Sequence, residues 1–115
     1  YAMRSFGATS CRHLFIGHSH RPLIITRKHW LSIGIEPVAG DHQFEIVPDG
    51  KRRIFNCGSV GQPRDDDPRG CYMILDTRKN LIEFHRVAYD TEKTAQAIGA
   101  AGLPRRLGRR LKKGH

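Results

Sequence analysis

No stretch of this sequence approaches the roughly 20 consecutive apolar residues that a membrane-spanning helix needs. No basic start followed by an apolar core marks an export signal. Cysteine is scarce: Cys11, Cys57 and Cys71 show no CxxC spacing, and an odd number cannot all pair. A disulfide scaffold is excluded, and the expectation is reduced thiols, a cytoplasmic location and no membrane partner. The absence of a Gly-X-Y period, of heptads and of internal repeats removes collagen-like chains, coiled coils and solenoids. What is present is ordinary for a folded chain. Of 115 residues, 38% are apolar and 27% charged, so disorder throughout is excluded. The length suits one small domain or part of a larger one. The sequence starts at Tyr1 and its first Met is Met3, which suggests that an upstream part is missing.

Acidic residues are few beside basic ones, 11 against 20. The imbalance is concentrated at one end. Arg105, Arg106, Arg109, Arg110, Lys112 and Lys113 fall within the last eleven positions, and no acid is among them. Such a segment can meet nucleic acid or another anionic surface. It can equally be the solvated side of a helix. The expectation is the helix face, with nucleic-acid binding weak and non-specific if it occurs.

Apolar spacing at Ala2, Met3 and Phe6 predicts the end of a helix. Leu14 to Ile16 reads as a buried strand ending at Gly17, and His18 to Pro22 as a loop. Leu23 to Thr26, Trp30 to Ile35, Phe44 to Val47 and the segment opening at Arg53 to Phe55 read as strands. Pro48, Asp49 and Gly50 form a turn. A loop from Asn56 to Gly70 precedes a hairpin of Cys71 to Leu75 and Leu81 to Val87. Asp90 caps a helix starting at Thr91, and Gly102 stops it. Pro104 opens a second helix carrying Leu107 and Leu111 as an i, i+4 pair. Mostly strands followed by C-terminal helices give an α/β (α+β) class. Trp30 and Tyr72 are expected to pack rather than stack on bases. His29, His42, His85 and His115 are expected at the surface.

Two segments carry candidate chemistry. Gly17-His18-Ser19-His20 follows an apolar strand, and neutral imidazole is a good transition-metal ligand. If the backbone is extended, the two histidines point the same way. If it turns between them, they reach two neighbouring metals. Alone, the pair also reads as two solvated loop histidines. The second segment is Asn56-Cys57-Gly58-Ser59-Val60-Gly61-Gln62-Pro63-Arg64-Asp65. Asn56, Gly58 and Ser59 can form a tight turn that holds an adjacent loop. Arg64 can take a phosphate bidentately, or pair with a surface acid. A zinc site from Cys11, His13, His18 and His20 fits no known spacing, and Asp65 to Asp67 lack EF-hand spacing. Cys57 would need a nearby base to act as a nucleophile.

Taken in order, the motifs form a pattern. The strand ending in Gly-His-Ser-His-Arg-Pro resembles the last metal motif of the calcineurin-like metallophosphoesterases. Asn56 to Arg64 resembles the Asn-Pro-Gly-Ser-Val-Gly-Gln-Pro-Arg stretch of the family's small bacterial members. Cys71-Tyr72-Met73-Ile74-Leu75-Asp76, Arg86-Val87-Ala88-Tyr89-Asp90, Gly102-Leu103-Pro104 and Arg110-Leu111 continue the likeness to the end. The resemblance implies a four-layer α/β/β/α sandwich, of which residues 1–115 would be the C-terminal portion of a single domain. It implies hydrolysis of a phosphate ester, whether monoester or diester. It also implies two divalent metals per complete site, manganese first, with iron, nickel, zinc and magnesium as the alternatives. By position, His18 is implied as a ligand of one metal and His20 of the other. Asn56, Gly58 and Ser59 are implied to support the site, and Arg64 to neighbour the substrate.

Departures from the family pattern set what this chain lacks. Asp-x-His, Gly-Asp-x-x-Asp and Gly-Asn-His, which normally come earlier, occur nowhere, and Gly40-Asp41 is followed by His42 and Gln43. Cys57 stands where Pro is usual, which is expected to loosen the turn. Two imidazoles cannot complete two coordination shells of roughly four to six ligands each. The expectation is therefore a segment inactive alone, with the remaining half of the domain and a phosphate ester as its partners.

Overall fold

Arg53, Ile54, Phe55 and Asn56 are buried in succession, which requires a strand covered on both faces. A computed structural model describes residues 2–115 and shows that cover. Strand β5 (Arg53–Cys57) lies inside a four-stranded sheet in the order β1-β5-β2-β3. Its neighbours are β1 (His13–Ile16), β2 (Pro22–His29) and, beyond β2, β3 (Ser32–Pro37). A second sheet, in the order β4-β7-β6, contains β4 (His42–Glu45), β6 (Gly70–Asp76) and β7 (Leu81–Val87).

The period-2 alternation of side chains builds two cores from one sheet. Ile24 pairs with Phe55 and Ile25 with Ile54. Ile24 and Phe55 face the second sheet and pack with Val38, Cys71, Ile82 and Phe84. Phe44 meets Phe55 edge-on, with ring centroids 5.3 Å apart. Ile25 and Ile54 face the other way and pack with Phe6 of helix α1 (Ala2–Ala8). The layers described are therefore helix, sheet and sheet, and the class is mixed α/β as the sequence predicts.

Helix α2 (Thr91–Ala100) is capped by Asp90, whose carboxylate accepts from the Lys93 N–H. It ends before Gly102, at φ +70°. Helix α3 (Arg105–Leu111) folds back onto α2. Gly108 permits the close approach: a Cβ there would sit 2.9 Å from the Ala95 Cβ. No helix is long and apolar enough to cross a membrane.

The strand at Leu14 to Ile16 and the place of Trp30 differ from the sequence expectations. Leu14 to Ile16 is an edge strand, with Phe15 42% exposed, because β1 pairs only with β5. Trp30 does not open a strand and does not pack. With Leu31 it forms the turn between β2 and β3 and is 73% exposed. Its apolar character concealed the turn, and β2 continues to His29 through polar residues that the pattern did not claim. Tyr72 does pack, stacked on His85 on the outer face of the second sheet. Of the apolar pair on α3, only Leu111 is fully buried.

Both sheets end in open edges on one side. The edge of β1 and the edge of β6 flank an apolar cleft of about 560 Å³, lined in part by Phe15, Val60, Tyr72, Met73 and Leu75. A strand added beside β1 would extend a sheet whose β1–β5 pair is parallel.

Candidate metal-binding site

Parallel pairing decides where the two motifs meet. Strands β1 and β5 run in the same direction, in register from His13 with Arg53 to Ile16 with Asn56. The chain therefore leaves both at the same end, and Gly17–His20 comes to lie against Asn56–Arg64. Loops at the carboxyl ends of strands are where α/β folds place their ligands. Strand β2 starts from the same end, with Pro22 opposite Cys57.

Asn56 locks the two loops together. Its side-chain amide donates to the Gly17 carbonyl and to Ser19 Oγ, both at 2.9 Å. Its side-chain oxygen accepts from the Gly58 N–H at 3.0 Å. The residue is buried, so each of these groups would otherwise be unpaired. Gly58 needs to be glycine: its φ is +77°, and a Cβ would lie 3.1 Å from both Cys71 and Pro22. Ser59 closes the turn. Its Oγ accepts from the Gln62 N–H at 2.9 Å, and its carbonyl from the Cys71 N–H at 2.8 Å. The turn is closed despite Cys57, whose thiol reaches the Ile16 carbonyl at 3.7 Å.

The histidine loop does turn. His18 has φ 77° and His20 φ 60°, so both occupy the left-handed region. Each such non-glycine residue costs about 1–3 kcal/mol and persists where its surroundings fix it, often at functional sites. The bonds from Asn56 supply that constraint for the Gly17–Ser19 stretch. His20 is fixed separately. Its Nδ1 lies 2.7 Å from the Gln62 carbonyl, and its own carbonyl accepts from the Arg64 N–H at 3.1 Å. A carbonyl only accepts, so Nδ1 is the donor, and in the neutral imidazole Nε2 keeps its lone pair. This is the tautomer of a metal-ligating histidine whose other nitrogen is hydrogen-bonded behind it. His18 borders an apolar cleft of about 410 Å³ on the α1 side of the sheet, beside Ile16, Leu23 and Ile25.

Arg64 points its guanidinium at Gln62 Oε1, 2.9 Å away, and its Nε is buried with no hydrogen-bond partner. It forms no ion pair among the described residues. Gln62 and Tyr89 were not singled out as site residues by sequence. Gln62 acts through its backbone carbonyl, which any residue type could present. Tyr89 donates its hydroxyl to the Gly61 carbonyl at 3.1 Å and steadies the same loop. Arg86 and Asp65 were also missed. Arg86 is buried and pairs with Asp65, with Asp67 3.9 Å away. Burial opposes its charge, but the Asp65 carboxylate outweighs burial and holds the guanidinium pKa above its ordinary value.

The three acids after Arg64 do not form a cation site. Asp65 pairs with Arg86, Asp66 with His115 at 2.7 Å, and Asp67 with Arg69 at 2.7 Å. Among the described residues, no three His, Cys, Asp or Glu side chains converge to hold a metal, which removes the grouping of Cys11, His13, His18 and His20. All three cysteines are free, and burial pushes the Cys71 thiol pKa up, away from nucleophilic use. His20, with Nδ1 bonded behind it, has the geometry of a metal donor, and the described residues around it do not complete a ligand set.

A metallophosphoesterase from Sphaerobacter thermophilus has the same architecture over 99% of this chain, with TM-score 0.89 and 36% identity. The chain shares the fold of the matched part of that metallophosphoesterase. It spans 47% of that metallophosphoesterase's length. It is also 37% identical over 99 residues to an uncharacterised protein of Methanocaldococcus jannaschii, matching 85% of this chain and 37% of that protein. No protein-family model matches the chain.

Proposed function

We propose that this chain supplies the C-terminal portion of a metal-dependent phosphoesterase domain, with His18 and His20 as ligands and the earlier half providing the rest. The observation that carries the reading is the locked histidine loop. His18 and His20 are both held in left-handed conformations and His20 Nδ1 is committed to the Gln62 carbonyl, which supports reading them as metal donors. The likeness to the Sphaerobacter metallophosphoesterase supports the same reading. His18 and His20 would hold divalent metal, manganese first and iron, nickel, zinc or magnesium otherwise, which would supply Lewis acidity toward phosphoryl oxygens.

This chain's own residues have distinct tasks. His18 and His20 hold metal. Asn56, Gly58 and Ser59 hold the histidines by tying the two loops. Arg64, whose Nε has no partner, turns toward a phosphate oxygen of the substrate and orients it. The open edges of β1 and β6, with the apolar cleft between them, suit the rest of the same domain. Free thiols suit a cytoplasmic setting.

The test is hydrolysis of bis-p-nitrophenyl phosphate and p-nitrophenyl phosphate with Mn²⁺. It is run on the chain alone and on the chain joined to a preceding half that carries the missing ligands. The chain alone should stay at background. The joined domain should turn over, lose activity with EDTA and regain it with Mn²⁺. EDTA-sensitive turnover by the chain alone, abolished by His20→Ala, would overturn the reading.

A further inference from the structure

Helix α3 turns one face to α2 and the other to solvent. Gly108 and Leu111 are buried, and Arg105, Arg106, Arg109, Lys112 and Lys113 are exposed. At 100° per residue, Arg105, Arg106 and Arg109 share one continuous arc opposite Leu107 and Leu111, and Lys113 is exposed in the turn that follows α3. Lys112 pairs with Glu92, and the Arg110 Nε donates to the His115 carbonyl at 2.8 Å. The other four cations have no ion pair among the described residues. Unpaired like charges crowded on two turns repel one another, so the face gains from a polyanion.

Its location links it to the candidate site. Past α3, the Gly114 carbonyl accepts from the Asp66 N–H at 3.0 Å, and His115 pairs with Asp66. Asp66 is two residues from Arg64, whose N–H is bonded to His20. The basic helix is thus anchored on the loop that holds His20. In that loop Asp65 is paired with Arg86 and Asp67 with Arg69, so these two acids do not cancel the exposed charge.

We infer that the exposed face of α3 is a rail for a polynucleotide strand whose phosphodiester is presented to the His18–His20 site. This rests on the phosphoesterase reading and names its substrate class as a nucleic-acid phosphodiester. The strand has the required chemistry: repeating phosphates, with one more at the site. Helix α3 is about 10 Å long, and its long basic side chains reach past both ends, enough to meet roughly three phosphates of one strand. Contacts of this kind carry no sequence information, so binding is non-specific and salt-sensitive.

Two assays separate the rail from the hydrolase. In EDTA, fluorescence anisotropy of a labelled 20-nucleotide single strand is measured on the joined domain and on its Arg105→Gln/Arg106→Gln/Arg109→Gln/Lys113→Gln variant. Binding should weaken roughly tenfold between 50 and 150 mM salt, a log–log slope of about −2 for three phosphates on a single strand. The variant should bind roughly tenfold more weakly at 50 mM with a flatter slope. With Mn²⁺, the variant should lose kcat/KM on the oligonucleotide by a similar factor and keep it on bis-p-nitrophenyl phosphate. No hydrolysis of either substrate would sink the phosphoesterase reading. Normal bis-p-nitrophenyl phosphate turnover, with oligonucleotide binding and cleavage unchanged in the variant, would sink the rail alone. Charge-dependent binding to phosphatidylserine vesicles without oligonucleotide binding would also overturn it.

Discussion

In the joined domain, His18→Ala and His20→Ala should each abolish most phosphoesterase activity while the fold stays intact. Each substitution removes a metal donor. Losing even a residue that hydrogen-bonds a ligand from behind costs roughly 10–100-fold, and losing the ligand should cost more. The fold is expected to survive because neither imidazole belongs to the two cores, which are built by Phe55, Ile24, Ile54 and Phe6. Alanine is no easier than histidine in the left-handed region, so the strain at both positions stays and the loop must still be held by its hydrogen bonds. Metal content by elemental analysis should fall in parallel with turnover. Near-normal activity and metal content in both variants would make them ordinary loop residues.

Asp65→Ala should destabilise the same domain by about 3–5 kcal/mol, because it leaves the buried Arg86 guanidinium without its main counter-charge. Asp67 at 3.9 Å and the Val38 carbonyl at 3.3 Å compensate only in part. Replacing both partners, as Asp65→Leu with Arg86→Met, should recover most of the stability, since an apolar pair has no charge to desolvate. Urea denaturation of the two variants reads the difference. A loss below about 1 kcal/mol for Asp65→Ala would mean that the pair is solvated and does not anchor the loop. The single variant should also impair turnover, because Asp65 follows directly after Arg64.

The candidate site residues stand out in sequence because their chemistry is punctuated. Gly17, Pro22, Asn56, Gly58 and Pro63 mark turns, and histidine is a conspicuous donor. The architecture that joins them was harder to read. That β1 runs parallel to β5 is a pairing across about 40 residues, and no local signal announces it. The Asp65–Arg86 pair likewise spans 21 residues, and each partner alone resembles a surface charge. Gln62 contributes a backbone carbonyl, which leaves no mark on residue identity. Trp30 and Leu31 misled in the opposite direction, because apolar side chains at a hairpin turn look like the start of a strand. The α2 cap at Asp90 and the hairpin of β6 and β7 were read correctly because both depend on short-range rules: one side-chain cap, and alternating strands joined by a turn.

The central claim is that His18 and His20 bind metal with the remaining half of the domain. The most direct measurement is anomalous scattering at the manganese edge from crystals of the joined domain grown with Mn²⁺. Two peaks should appear a few ångströms apart, one bonded to His18 and the other to His20 through Nε2, with His20 Nδ1 still donating to Gln62. Peaks elsewhere, or both imidazoles left without metal in a fully loaded and active domain, would contradict the account.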